Sequence, residues 1–254
     1  MHSPWVGIVL AMVVAPQAHA LVCERTSPAH TVALVELYTS QGCDSCPPAD
    51  RWLGTLAGSR LVDERVVPLG LHVNYWDHLG WKDPYAKALF TDRQRAISRA
   101  SGVSYVYTPQ VVVQGRDFRG WGSAAFATRL DAINRTPARA EIRLSMEVAG
   151  DALRLAAQAK ASARSQLFAA LAQDRISNKV TAGENRGATL AHNASVREWY
   201  GPIPLDAQGR ANWQTSAALP AGARLTDMRL VGFVQDSASG EILQAIGLPG
   251  CVKP

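Results

Sequence analysis

Residues 1–20 contain no Asp, Glu, Lys or Arg. The apolar core of this stretch, Val6 to Ala15, is far shorter than the ~20 residues that span a bilayer, which argues against a membrane anchor. It ends Ala18-His19-Ala20, an A-x-A-type cleavage signal, and reads as a secretory signal peptide covering 1–20. Long basic runs are missing as well. The formal charge is only +5, no run reaches the length of a nucleic-acid tail, and nucleic acid is not an expected partner. Lys82, Lys87, Arg93, Arg95 and Arg99 do crowd one expected helix; they read as a solvated face, with a surface for an acidic partner as the alternative. Internal repeats and low-complexity segments are also absent. With 254 residues at 47 % hydrophobic content, the chain has material for two modest domains or one large one, and nothing indicates disorder.

Cysteine is scarce, four in all. Signal cleavage would leave the four in an oxidising compartment, periplasmic or secreted, where disulfides persist and no membrane span remains. Cys23 and Cys251 lie at the two ends of the mature chain. The preferred connectivity bridges them as a structural disulfide while Cys43 and Cys46 form a local pair. In the chain-entropy model so long a closure contributes about 5 kcal/mol at most.

The expected fold class is α/β over residues 21–136, a mixed sheet with flanking helices, followed by an antiparallel β-sandwich-like domain over 137–254. Val32 to Tyr38 reads as a buried strand, and Trp52, Leu53, Leu56 and Ala57 fall at helical spacing after it. Val66 to Val73 is a second apolar run, Pro84 to Ala100 a second helix, Gln110 to Gln114 a Val-rich strand, Asp117 to Gly120 a short return strand. Phe126, Leu130 and Ile133 mark a last helix. The order is β-α-β-α-β-β-α, which favours helices packed on a mixed sheet. After Thr136-Pro137 the period becomes twofold. Ile142, Leu144, Met146 and Val148 alternate with polar neighbours, a turn at Gly150-Asp151 leads into Leu153 to Ala159, and five further strands are expected over Gln166–Gln173, Thr189–Trp199, Asn212–Ala217, Met228–Gln235 and Glu241–Ile246.

Chemistry concentrates where the first strand hands over to the first helix, at Cys43-Asp44-Ser45-Cys46. A thiolate there gains from the helix dipole and from unpaired N–H groups. Two sulfurs at this spacing can close a disulfide, hold a soft metal, or staple a loop. Tyr107-Thr108-Pro109-Gln110-Val111 sets a Pro directly before a strand, as a thioredoxin-like fold does with a cis-Pro loop that packs beside the cysteines and pairs with substrate backbone; an ordinary trans-Pro opening a strand is the alternative. Glu36, seven residues before Cys43, is a candidate proton acceptor if buried beneath the dithiol and inert if it faces solvent. The loop from His72 through Tyr85 is dense in aromatic and ionisable groups. Tyr75 and Trp76, with Thr108, are candidates for binding substrate, and His72 or His78 for a third metal ligand, a proton carrier, or a structural hydrogen-bonding residue. His30 and His192 have no motif around them. In a redox reading Cys43, the more exposed sulfur, attacks a substrate disulfide and Cys46 resolves it. Asp44 raises the pKa of Cys43, and Pro47 biases Cys46 away from helical dihedrals, so that the helix begins at Pro47 or Pro48.

The block Glu36-Leu37-Tyr38-Thr39-Ser40-Gln41-Gly42-Cys43-Asp44-Ser45-Cys46-Pro47-Pro48-Ala49-Asp50 resembles the hallmark of domain-of-unknown-function family 1223, secreted bacterial proteins with a thioredoxin-like domain. His72-Val73-Asn74-Tyr75-Trp76-Asp77, Gly80-Trp81-Lys82-Asp83-Pro84, Tyr107-Thr108-Pro109-Gln110 and Gly183-Glu184-Asn185-Arg186-Gly187 support it in order along the chain. The resemblance implies export and a thioredoxin-like fold followed by a β-rich region, with no assigned reaction. Wider similarity to thioredoxin-like proteins makes Cys43 the nucleophile, Cys46 the resolving thiol and Pro109 the cis-Pro. Three functions compete: a thiol–disulfide oxidoreductase without cofactor, whose partners are exported proteins or a redox partner met through mixed disulfides; a Cu(I)-binding, metallochaperone-like protein using Cys43, Cys46, His72 and His78; and a non-enzymatic binding protein with structural disulfides.

Overall fold

The computed structural model describes residues 22–149 and 152–250. The expected signal peptide, the Gly150-Asp151 turn and Cys251 lie outside the described residues. In chain order the strands are β1 (Val22–Thr26), β2 (Ala33–Thr39), β3 (Val66–His72), β4 (Gln110–Val113), β5 (Arg116–Asp117), β6 (Glu141–Ala149), β7 (Ala152–Lys160), β8 (Ser165–Gln173), β9 (Ile176–Lys179), β10 (Thr189–His192), β11 (Ser195–Pro204), β12 (Arg210–Ala218), β13 (Met228–Asp236) and β14 (Ile242–Pro249). The helices are α1 (Pro47–Ala57), α2 (Ala88–Ala100) and α3 (Ala124–Asn134).

These elements make a mixed α/β protein. An eight-stranded sheet runs β14-β13-β8-β11-β3-β2-β4-β5, a four-stranded antiparallel sheet runs β1-β6-β7-β12, and β9 pairs with β10. β2 and β3 are parallel and buried at every position, hence their unbroken apolar runs. β6 and β7 bury alternate residues because the four-stranded sheet has one wet face. Strands from both sides of the 136/137 boundary share the large sheet, since β11 joins β3 in parallel through Ser195 and Gly70. One core, around Leu144, Met146, Leu155, Leu230 and Ile246, fills the space between the two sheets. A second lies under α2, and a third joins α1 and α3 to the opposite face of β2, where Trp52 contacts Trp121 and Phe126 at 5.3 and 5.1 Å.

Side chains also stitch the large sheet to itself. The wholly buried Gln244 on β14 accepts from the N–H groups of Val32 and Ala245 and donates to the carbonyls of Pro28 and His30. Gln114 does the same between Leu34 N–H and Ile242 O. Gln244→Leu keeps the volume and strands several buried backbone groups, so a loss of at least about 2 kcal/mol is expected. The midpoint of urea unfolding checks it.

Three local readings change. The second helix begins at Ala88, not Pro84, because Lys87 is extended and Asp83 takes the N–H groups of Tyr85 and Ala86 into a turn. The expected strand Thr189–Trp199 is split, since Ala194 turns through a positive φ of 52° and sends β10 and β11 to different sheets. Cys46 is αR (φ −77°, ψ −35°) despite preceding Pro47, because its carbonyl accepts from both Ala49 and Asp50 as the helix N-cap.

Candidate functional site around Cys43 and Cys46

The interior strand β2 ends at Thr39, and a tight turn carries the chain into α1. Cys43 N–H donates to Ser40 O, Gly42 N–H to Ser40 Oγ, and Cys46 N–H to Cys43 O. Cys43 and Cys46 are joined as a disulfide with Cα atoms 5.5 Å apart. The expected greater exposure of Cys43 is not observed: both cysteines have 0 % exposure, while Asp44 and Ser45 between them face solvent. Two elements cover the turn. Trp76 packs so closely that a methyl group at Gly42 would stand 3.1 Å from its Cβ, and the connection between β9 and β10 crosses the other side. There Asn185 Nδ2 donates to Gln41 O (3.0 Å) and Cys43 O (2.9 Å), and Glu184 accepts from Asp44 N–H (3.1 Å).

Beneath the turn lies a buried polar cluster. Asp50 stands one helical turn after Cys46, on the same helix face, and accepts from Thr39 Oγ1 at 3.1 Å. Its Oδ1 is 3.7 Å from His192 Nδ1. Gln41 Oε1 receives Trp81 Nε1 and Asn178 Nδ2, which orients the amide so that its Nε2 donates to His192 Nε2 at 3.0 Å. His192 Nε2 is therefore an acceptor, and the ring proton sits on Nδ1, a buried nitrogen without a hydrogen-bond partner that faces Asp50.

Beside it, Asp83 Oδ2 accepts from His72 Nδ1 (2.7 Å) and Gln41 N–H (2.8 Å), and His72 Nε2 meets Ser195 Oγ at 3.0 Å. Burial pushes the His72 imidazole down, but the Asp83 carboxylate outweighs it and holds the pKa above its ordinary value. Burial pushes Asp83 up, and His72 with the two backbone N–H groups carries it below the carboxylate norm. Ser195, His72 and Asp83 stand in nucleophile–base–acid order, yet Ser195 has no exposed surface and offers no nucleophile to a substrate. The chain of bonds ties β3, β11 and the Trp81–Tyr85 loop to Gln41.

The other expected site residues fall as follows. Thr108-Pro109 is cis, and Thr108 Oγ1 accepts from Trp76 Nε1 at 2.7 Å, which brings the Pro loop, Trp76 and Gly42 together. Tyr75 is half-buried, its hydroxyl on Gln94. Glu36 is wholly buried but on the α2 face of β2; Arg93 grips both carboxylate oxygens (2.6 and 3.2 Å) and Tyr38 OH adds a third bond. Alternation along the strand explains this, for Thr39, not Glu36, points to α1 and the cysteines. Arg93 thus leaves the expected cationic face, and Lys87 turns to Arg197 O and Glu198. His78 is exposed with Nδ1 on Tyr75 O. Among the described residues no group of three or more His, Cys, Asp and Glu is placed to hold a metal ion. Cys23 lies in β1 opposite Met146. A cleft of about 530 Å³ between α2 and β8/β11, lined by Leu89, Phe168 and Trp199, is not part of the cysteine site.

Sequence reasoning missed Asp50, Asp83, His192, Ser195 and the cover supplied by Glu184 and Asn185. Asp50, Asp83, Glu184 and Asn185 were visible within the quoted blocks, whereas His192 and Ser195 carry no local signal and reach the site only through the fold.

A crystal structure of protein AGR_C_4864 from Agrobacterium tumefaciens is similar to the chain at 27 % identity and TM-score 0.64, over 90 % of this chain and 98 % of that one. HBP35 of Porphyromonas gingivalis shares the fold at 18 % identity and TM-score 0.64, over 88 % of this chain and 76 % of that one. No curated protein matches the sequence. The profile of the family described as "Protein of unknown function (DUF1223)" matches residues 34–235, and the chain belongs to that family.

Proposed function

We propose that this is an exported thiol–disulfide oxidoreductase, periplasmic or secreted, in which residues 21–136 form a thioredoxin-like domain and 137–254 a β-rich, sandwich-like one. The observation that carries the reading is the closed Cys43–Cys46 pair at the junction of the interior strand β2 with the N-cap of α1. There the helix dipole favours a thiolate over a thiol. Parallel β2 and β3 flanked by antiparallel β4 support the domain assignment. In the dithiol form the Cys43 thiolate attacks a substrate disulfide. A Cys43–substrate bond forms, the substrate S–S bond breaks, and one substrate sulfur leaves as a thiolate that takes a proton. Cys46 then attacks Cys43 as a thiolate, closes the protein disulfide and expels the second substrate sulfur. Two electrons pass to the substrate; the reverse sequence oxidises a substrate dithiol. Asp50, not Glu36, is the carboxylate on the Cys46 side of the sheet and the better candidate for the proton of the resolving thiol.

Cys46→Ala tests this. Mixed disulfides between Cys43 and exported proteins are expected, released by reductant and absent from Cys43→Ala/Cys46→Ala; no adducts in cells would sink the proposal. The burial of both sulfurs favours a second reading, a structural staple in a binding protein. A reduction potential well above about −300 mV supports exchange chemistry, and one below it the staple.

A further inference from the structure

β8 and β11 are antiparallel neighbours whose facing ends, Gln173 and Ser195, are register partners. A short turn would join them. Residues 174–194 instead leave the sheet, pair as β9 and β10, and bring their connection onto the cysteine turn. The base of this excursion is anchored: Ala194 N–H donates to Asp174 Oδ1 (2.7 Å), Arg175 N–H to Asn193 Oδ1 (3.0 Å), and Gly70 N–H to Ala194 O (2.7 Å), while Ile176, Leu190 and His192 are buried.

The tip is held differently. Glu184 and Arg186 are exposed and Asn185 half-exposed. Attachment to the cysteine turn consists of the two Asn185 bonds, the Glu184–Asp44 bond, and contact of Gly183 with Trp81, where a Cβ would stand 3.1 Å from the indole Cβ. Gly183 (φ 70°) and Gly187 (φ 88°) bracket these residues, conformations that glycine adopts without a steric penalty. Asn185 binds the backbone carbonyls on either side of Gly42, groups that an incoming polypeptide would otherwise meet.

We propose that residues 183–187 are a lid that shuts the Cys43–Cys46 site and opens to admit a protein substrate. The inference rests on the thiol-exchange reading for its purpose and on the hairpin geometry for its existence. A covered disulfide reacts only in the fraction of molecules whose lid is open. Removing the latch raises that fraction, and the loss of two to three partly buried or exposed hydrogen bonds corresponds to about a tenfold change or more.

The test is the rate at which dithiothreitol reduces Cys43–Cys46 in the full chain. It is read by alkylation and mass analysis of the Cys43–Cys46 peptide, so that Cys23 does not contribute. Asn185→Ala should speed reduction about tenfold and Glu184→Ala/Asn185→Ala further, with Arg186→Ala within twofold of the parent. If the double variant fails to fold, Asn185→Asp replaces it, since it removes both donors and sets a carboxylate against two carbonyl oxygens. Unchanged rates in folded latch variants overturn the lid. Faster reduction together with no Cys46→Ala adducts keeps the lid and removes the exchange function, while adducts with unchanged rates keep the function and remove the lid.

Discussion

Arg93→Met is expected to destabilise the protein by about 3–5 kcal/mol, because it leaves the buried Glu36 carboxylate without its cation. Arg93 grips Glu36 with two nitrogens and donates to Gln235, and its guanidinium carbon lies 5.2, 5.0 and 5.1 Å from the ring centroids of Phe168, Trp199 and Phe233. Burial alone would lower the Arg93 pKa; Glu36 and Tyr38 more than reverse it. The aromatic contacts add packing that a lysine could not reproduce, since it lacks the planar fork. For a chain of this size such a loss lowers the thermal midpoint by roughly 6–20 °C. Calorimetry of Arg93→Met beside Glu36→Leu/Arg93→Met separates the causes. The double variant should recover most of the loss, because an apolar pair leaves no buried charge. A double variant as unstable as the single one would assign the effect to the rings instead.

Asp83→Asn should reduce a pH dependence of stability expected of the parent protein. The folded pKa of His72 lies above its ordinary 6.5, so its contribution is complete below about pH 6.5 and disappears as pH rises through the folded value. The folded pKa of Asp83 lies below 3.8, so its contribution is complete above about pH 3.8 and disappears as pH falls through the folded value. The pair is at full strength between these limits. Urea titrations at pH 5 and pH 9 should therefore show the parent less stable at pH 9 through this pair, with the difference reduced in Asp83→Asn. Because both side chains are essentially buried (1 % and 0 % exposed), breaking the pair at pH 5 costs about 3–5 kcal/mol. The asparagine amide keeps a single acceptor oxygen, so either Gln41 N–H or Tyr85 N–H loses its partner at the same time. An identical pH dependence in both proteins would show that other groups carry it.

Much of the architecture was legible because local pattern and burial agree. β2, β3 and the β6–β7 hairpin follow from apolar runs and strict alternation, and α1 and α3 from their helical faces. β1 and β9 escaped notice because neither has a clear period: Val22-Cys23-Glu24-Arg25-Thr26 is largely exposed and is a strand only by pairing with β6, and Ile176–Lys179 only by pairing with β10. Arg93 read as one of several surface cations because nothing adjacent in the chain announces Glu36 or the three rings that enclose it.

At the cysteine pair itself, the sequence by itself determined the strand–turn–helix position and a helix start at Pro47 or Pro48, since both depend on near neighbours and on proline's missing N–H. Only the tertiary structure decided that both sulfurs are covered, that Asp50 and not Glu36 lies on their side of the sheet, and that His192 and Ser195 arrive from more than a hundred residues away. The reason is physical. Burial and hydrogen-bond partnership are properties of what packs across a sheet, and the groups that cross it here come from strands that are neighbours in space but not in the chain.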